Sequence, residues 1–213
     1  VFDLDGTLMD NRPRSVAILR ELAGHWIERH PEAARALSGV RSADLAYAVS
    51  DSLAKMGVDH PELVAEATHF WKERFFRDPY MAHAVAIDGA AAFAHAVHDA
   101  GAIVVYLTGR DLPLMGLGSW SSLRDLGFPI GRVGTELVCK PDATIPDEDY
   151  KREVAPTLAR LGEVVASFDN EPGNCNAFLR AYPASFSVLL DTQHADGAPP
   201  LDAGVQTIRD FRT

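Results

Sequence analysis

Cysteine is nearly absent: Cys139 and Cys175 are the only two in 213 residues, and neither lies in a CxxC pair. So few thiols cannot staple a secreted disulfide scaffold, which makes a reducing, cytoplasmic compartment the expectation. Long apolar runs are missing too. None approaches the ~20 residues needed to span a bilayer, so no membrane association is expected. Positive charge is scarce, with 20 Lys and Arg against 30 Asp and Glu, a net charge of −10. Nucleic-acid backbones and anionic membranes both demand concentrated positive charge, so a nucleic-acid partner is disfavoured. A small anionic substrate stays compatible, because a few donors or one metal ion can reverse the field inside a pocket. An initiator methionine is also lacking, and Val1 already reads as part of a buried strand. Upstream residues are therefore expected to be missing, and the lack of a signal peptide says little about location.

What is present is ordinary for a globular chain, with 47% apolar and 23% charged residues. That fits one domain, or one domain carrying a small inserted module. Residues 1–4 form a short apolar run that ends in acid and glycine, VFDLDGTL. From Pro13 to about Phe76 the spacing is helical: Val16, Leu19, Leu22, Ala23, Trp26 and Ile27 recur at three and four residues, as one buried helix stripe requires. Segments Ser42–Met56 and Pro61–Phe76 repeat that period, punctuated by Gly57 and Pro61.

Beyond Asp88 the grammar changes to alternating helices and strands. A helix at Asp88–Ala100 is stopped by Gly101 and followed by the apolar, β-branched run AIVVYLT. Helices near Ser119–Leu126, Asp147–Leu161 and Gly173–Tyr182 then alternate with strands near Glu136–Cys139, Val164–Phe168 and Phe186–Leu190. Alternation of this kind predicts right-handed crossovers and a parallel sheet covered on both faces. The fold class expected is therefore α/β, a Rossmann-like three-layer core of residues 1–10 and 85–213, interrupted by a small all-helical module at residues 11–84.

In doubly wound sheets, ligands bind at the carboxyl ends of strands. Four such places carry polar groups: Asp3 with Asp5; Thr108, Gly109 and Arg110; Lys140 or the later Lys151; and Asp169, Asn170 and Glu171. Residues two apart in an extended segment point to the same side, so Asp3 and Asp5 can face one reacting group. Gly6 and Thr7 are expected to turn the backbone there and to offer N–H groups to an anion.

These stretches resemble a known family. VFDLDGTL is similar to the first motif of the haloacid dehalogenase-like hydrolases, YLTGR to the second and VVASFDN to the fourth, in the right order and with a helical insertion after the first. The resemblance implies the phosphatase branch with a helical cap. It implies that Asp3 is the nucleophile, forming an aspartyl-phosphate that water later hydrolyses. Asp5 would be the general acid and then the base. Mg²⁺ would be held by the Asp3 and Asp169 side chains and the Asp5 carbonyl, which suits a cation that takes one or two carboxylates plus substrate and water. Thr108 would hydrogen-bond a phosphoryl oxygen. Gly109 and Arg110 would lie against the substrate, with Arg110 either forking onto its phosphate or carboxylate or simply pairing with a surface acid. Asp5 favours a phosphatase, since the dehalogenase branch does not use this acid.

Two lysines compete for the third motif. Lys140 lies in CKPD after a strand, and Lys151 lies at the start of a helix 18 residues before Asp169; Lys151 is favoured. The fourth motif lacks the usual second acid, so water, Asn170 or Asn174 would complete a metal site, with Glu171 in support. His95 and His98 read as an exposed helix face rather than a zinc site, and His194 and Asp196 as a loop cap. Trp26, Trp71, Phe75 and Phe76 read as the core of the helical module. The function expected is Mg²⁺-dependent hydrolysis of a small phosphorylated metabolite. A phosphomutase, a nucleic-acid 3′-phosphatase and a catalytically weak phosphometabolite-binding protein are the alternatives with the same site residues.

Overall fold

The computed structural model describes residues 1–212. The chain divides into two compact units, one of Val1–Asp10 with the chain from Val85 onward, the other of Asn11–Ala84.

The first unit is built on a parallel sheet. Strand β3 (Val104–Asp111) pairs with β4 (Thr135–Lys140), and β5 (Ala166–Asp169) pairs with β6 (Phe186–Leu190), which pairs with β7 (Gln206–Ile208). The segment from Val1 to Asp3 joins these two groups of strands. Phe2 N–H donates to Val105 O at 2.8 Å, Leu107 N–H to Phe2 O at 2.8 Å, and Asp3 N–H to Phe168 O at 2.9 Å. The lanes therefore run β4, β3, residues 1–3, β5, β6, β7. A separate two-residue ribbon pairs β1 (Met9–Asp10) with β2 (Val85–Ala86), antiparallel.

Alternation along β3 separates the two faces. Val105 and Leu107 pack with Tyr150, Leu158 and Phe178, that is, with α8 (Asp147–Val154), the 3-10 turn Ala155–Arg160 and α9 (Pro172–Ala181). Tyr106, between them, meets Phe128 and donates its hydroxyl to Pro129 O. Phe2, Phe168, Phe211 and Phe93 of α6 (Ala90–Asp99) form an aromatic cluster, with Phe2 stacked on Phe168 at 4.8 Å. Rings in such contact add ~0.5–1.5 kcal/mol each beyond the area they bury.

Helix α7 (Leu112–Asp125) starts earlier than the sequence pattern suggests, directly off β3. Gly116 and Gly118 lower its helical propensity, but Asp111 caps it by accepting Leu114 N–H at 3.0 Å, with Pro113 in its first turn. The long helix expected at Asp147–Leu161 instead ends at Val154, where the missing N–H of Pro156 turns the chain into the 3-10 segment. His95 and His98 do not form an exposed face. Their Nε2 atoms each lie 2.9 Å from a backbone carbonyl, of Gly127 and Val133, and tie down the loop that leads to β4.

The second unit is all helical: α1 (Arg12–Trp26), α2 (Pro31–Ser38), the 3-10 turn Ser42–Asp44, α3 (Val49–Lys55), α4 (Pro61–Phe75) and α5 (Asp78–Met81). Pro31 and Pro61 open their helices, where a missing N–H costs nothing. The core joins Leu19, Leu22 and Trp26 of α1 to Leu37, Leu53 and Ala67. Trp26 is fully buried, and its indole N–H donates to Glu66 Oε1 at 2.8 Å. Trp71 and Phe75 stack on each other beside Arg14 rather than in that core, and Phe76 is exposed. Among the described residues no helix is long and apolar enough to cross a membrane.

Candidate active site

The register of the central lanes sets the site. Phe2 bridges Phe168 in parallel, so the next residue on each strand, Asp3 and Asp169, emerge side by side at the carboxyl end of the sheet. Both are buried, and Lys151 of α8 reaches between them. Its Nζ lies 2.6 Å from Asp3 Oδ1 and 2.7 Å from Asp169 Oδ2, with the lysine side chain only 5% exposed. Two buried carboxylates thus share one ammonium. Burial pushes the Asp3 carboxyl up to about 7; Lys151 opposes the rise and the Asp169 charge adds to it. Burial works against the Lys151 ammonium, yet Asp169 and Asp3 outweigh it and hold the amine above the usual lysine range.

Lys140, the other candidate, faces elsewhere. Its Nζ donates to Ile145 O at 2.8 Å and pairs with Asp147 in the first turn of α8. The structure therefore brings Lys151, and not Lys140, to Asp3 and Asp169.

Around this triad the loops are closely tied. Thr7 donates to Asp3 Oδ2 at 3.1 Å and lies 3.3 Å from Asn170 Oδ1, while Asn170 Nδ2 donates to Gln193 O at 2.6 Å. Asn170 is thus spent as a bridge between the first and fourth motifs and the loop after β6. Thr192 Oγ1 donates to Gly6 O at 2.6 Å, and the Ala195 N–H donates to Glu171. Thr192 and Gln193 carry no sequence signal that would single them out, since they act through a backbone carbonyl or as one. The expectation that Gly6 and Thr7 offer N–H groups to an anion is corrected. Gly6 N–H donates to Met9 O at 2.8 Å and Thr7 N–H to Leu4 O at 3.2 Å, so both are used inside the turn.

Asn174 is different. Its Nδ2 donates to both Asp169 oxygens, at 3.1 and 3.2 Å, while its Oδ1 is buried without a hydrogen-bond partner. Buried polar atoms are rarely left so. Among the described residues no group of three or more His, Cys, Asp or Glu side chains is placed to hold a metal. A cation here would rest on the two carboxylates Asp3 and Asp169, completed by neutral oxygens such as Asn174 Oδ1. Mg²⁺, which keeps waters and takes only one or two carboxylates, fits this donor set.

The second motif closes the other side. By register Thr108 lies at the same end of the sheet; it is buried, and its Oγ1 accepts Arg110 N–H at 3.2 Å. Gly109 passes so close to α8 that a Cβ would sit 2.1 Å from Asp147 Oδ2. Arg110 forks onto Asp5, with Nε 2.8 Å from Oδ2 and Nη2 2.7 Å from Oδ1. The alternative that Arg110 pairs with a surface acid is corrected: Arg110 is buried, and the acid it meets is Asp5 of the first motif.

Chemically, the arrangement presents a buried carboxylate, Asp3, beside an ammonium and a second carboxylate, with the further acid Asp5 two residues on. Comparison with curated proteins yields no match. Solved structures do match over nearly the whole chain. A candidate phosphatase from Clostridium difficile is 12% identical, with 92% of this chain and 86% of that one covered and a TM-score of 0.58. Protein Tyrosine Kinase A of Mycobacterium tuberculosis is 19% identical, with 97% and 91% covered and a TM-score of 0.59. A candidate haloacid dehalogenase-like hydrolase from Bacteroides fragilis is 14% identical, with 99% and 95% covered and a TM-score of 0.53. At such identities the likeness shows a shared fold. The model of the haloacid dehalogenase-like hydrolases matches residues 1–144, two thirds of the sequence and all of its first two motifs, and the chain belongs to that family.

Proposed function

We propose that the protein is a phosphatase that hydrolyses a small phosphomonoester through a phospho-aspartate on Asp3. The observation that carries this reading is the buried Asp3–Lys151–Asp169 triad beside Asp5. An Asp3 carboxylate oxygen attacks phosphorus as the bond to the ester oxygen breaks, and Asp5 gives its proton to that leaving oxygen. Asp5 then takes a proton from water as the water oxygen attacks phosphorus, which frees inorganic phosphate and restores Asp3. Lys151 neutralises charge on the nucleophile and on the transferred group, and Thr108 hydrogen-bonds a phosphoryl oxygen.

Family members generally use Mg²⁺, which when bound offsets the repulsion between a carboxylate and a phosphate dianion. Here the Asp3 and Asp169 side chains and the Asp5 carbonyl would hold it, with Asn174 Oδ1 as the unspent oxygen of the cluster. The helical unit Asn11–Ala84 is assigned the role of a cap that limits entry to small esters. The net charge of −10 favours a small phosphorylated metabolite over a long polyanion.

The test is phosphate release from a panel of small phosphomonoesters, with Mg²⁺ and with EDTA. Metal-dependent turnover is expected. Isomerised sugar phosphate without free phosphate would make the protein a mutase, and silence across the panel would overturn the reading.

A further inference from the structure

We propose that Thr192, in the loop after β6, is a positioning residue whose hydroxyl holds the first-motif turn through Gly6 and thereby sets the affinity for Mg²⁺; this inference rests on the Mg²⁺ site of the phosphatase reading. Thr192 Oγ1 donates to Gly6 O at 2.6 Å across 186 residues of sequence. Its own segment is anchored to the sheet. Asp191 N–H donates to Ile208 O of β7 and Thr192 N–H to Leu190 O of β6, both at 2.8 Å. The next residue, Gln193, accepts from Asn170 Nδ2 at 2.6 Å. One short loop therefore clamps both the first-motif turn and the strand end that carries Asp169.

The turn needs this clamp because of how its peptide planes are held. A trans peptide is planar, so the bond from Gly6 N–H to Met9 O turns the Asp5 carbonyl the opposite way, away from Met9. On the other side of Gly6, one plane carries Gly6 O and Thr7 N–H. Gly6 itself has φ +83°, and glycine swings between conformations with little steric resistance. The backbone bonds beyond it are shared, since the N–H groups of Thr7, Leu8 and Met9 all converge on Leu4 O, at 3.2, 3.0 and 2.9 Å. Thr192 is the side chain that fixes the second plane from outside the turn. A shift of that plane reaches two oxygens assigned to the metal: the Asp5 carbonyl through Gly6, and the Asp3 carboxylate through the Thr7 hydroxyl, 3.1 Å from Oδ2. Hydrogen bonds behind metal ligands hold them in orientation in this way.

The experiment reads the Mg²⁺ concentration that gives half the maximal rise in Tm, without substrate and at constant ionic strength. It compares wild type, Thr192→Val, Thr192→Ser and Thr157→Val. Thr157 is the control, because it makes the same kind of bond, hydroxyl to the Val154 carbonyl at 2.7 Å, in the exposed 3-10 segment. Thr192→Val is expected to need about 10-fold more Mg²⁺, the low end for losing a bond behind a metal ligand, and Thr192→Ser, which keeps the hydroxyl, to stay within about 3-fold of wild type. Thr157→Val should leave the midpoint unmoved. Phosphate release by Thr192→Val should recover as Mg²⁺ is raised. An unmoved midpoint in a folded Thr192→Val, or a Thr192→Ser as weak as Thr192→Val, would overturn the inference while leaving the phosphatase intact. A wild type whose Tm ignores Mg²⁺ would overturn it as well. A wild type that responds to Mg²⁺ but releases no phosphate would overturn the phosphatase reading, and the midpoints would still decide this one. Should Thr192→Val not fold, amide exchange in the wild type decides. Linkage is reciprocal, so bound Mg²⁺ must tighten the clamp and slow exchange at residues 191–195. Exchange there that ignores Mg²⁺ would overturn the inference.

Discussion

Lys151 Nζ lies 2.6 Å from Asp3 Oδ1 across 148 residues of sequence, and 2.7 Å from Asp169 Oδ2. One ammonium thus compensates two buried carboxylates. Breaking such a group by removing the shared partner leaves charge in a place that water cannot reach.

Lys151→Gln should therefore destabilise the protein by about 3–5 kcal/mol and abolish turnover. Lys140→Gln should cost no more than about 1 kcal/mol, because its partner Asp147 is 64% exposed and solvent screens the pair. Urea unfolding and phosphate release on both variants separate the two lysines. A stable, active Lys151→Gln would remove it from the site.

The Asp3 carboxyl, at about 7 in the folded protein against an ordinary 3.8, gives a pH signature. The folded protein keeps this proton across that window while the unfolded chain releases it. The group's contribution to stability is thus fully present below about pH 3.8 and is lost as pH rises through about 7. Asp3→Asn cannot ionise and escapes the loss. In EDTA, its Tm relative to wild type should rise between about pH 4 and pH 8 by at least ~2–4 °C, the shift that 1 kcal/mol produces in a chain of this size. A difference that stays flat across the window would contradict the burial argument.

Gly6 and Gly57 share nearly the same backbone conformation, φ +83° and +78°, but differ in surroundings. A Cβ at Gly57 meets nothing, whereas at Gly6 it would lie 2.5 Å from Asn170 Nδ2. Gly57→Ala should cost about 1–2 kcal/mol, the left-handed penalty alone. Gly6→Ala should cost more and should also lower turnover, because Asn170 bridges Thr7 and Gln193. Chemical unfolding and an activity assay on the pair check this; equal costs with unchanged activity would contradict it.

Much of the fold was legible because its signals are local. AIVVYLT reads as a buried strand, and its neighbours read as alternating helices and strands, since apolar spacing reports the face each element buries. The two-residue ribbon β1–β2 and the three-residue β7 escaped, being shorter than any period. Helix α2 lies inside the stretch read as helical but was not delimited, because its eight residues span only about two turns. At the site, the DxDGT and LTGR stretches were visible as strand ends. Two things were not: that Arg110 would turn to Asp5, and that Thr192 and Gln193 would clasp Gly6 and Asn170. Both are pairings across more than 20 residues, fixed by the register of β3, β5 and β6 rather than by local pattern.

The most direct test of the account is phosphate release from p-nitrophenyl phosphate with Mg²⁺ by wild type and Asp3→Asn, with the fold of each followed by circular dichroism. The account predicts turnover by the wild type and a folded variant at least ~10³-fold slower. A folded Asp3→Asn with undiminished turnover would contradict it.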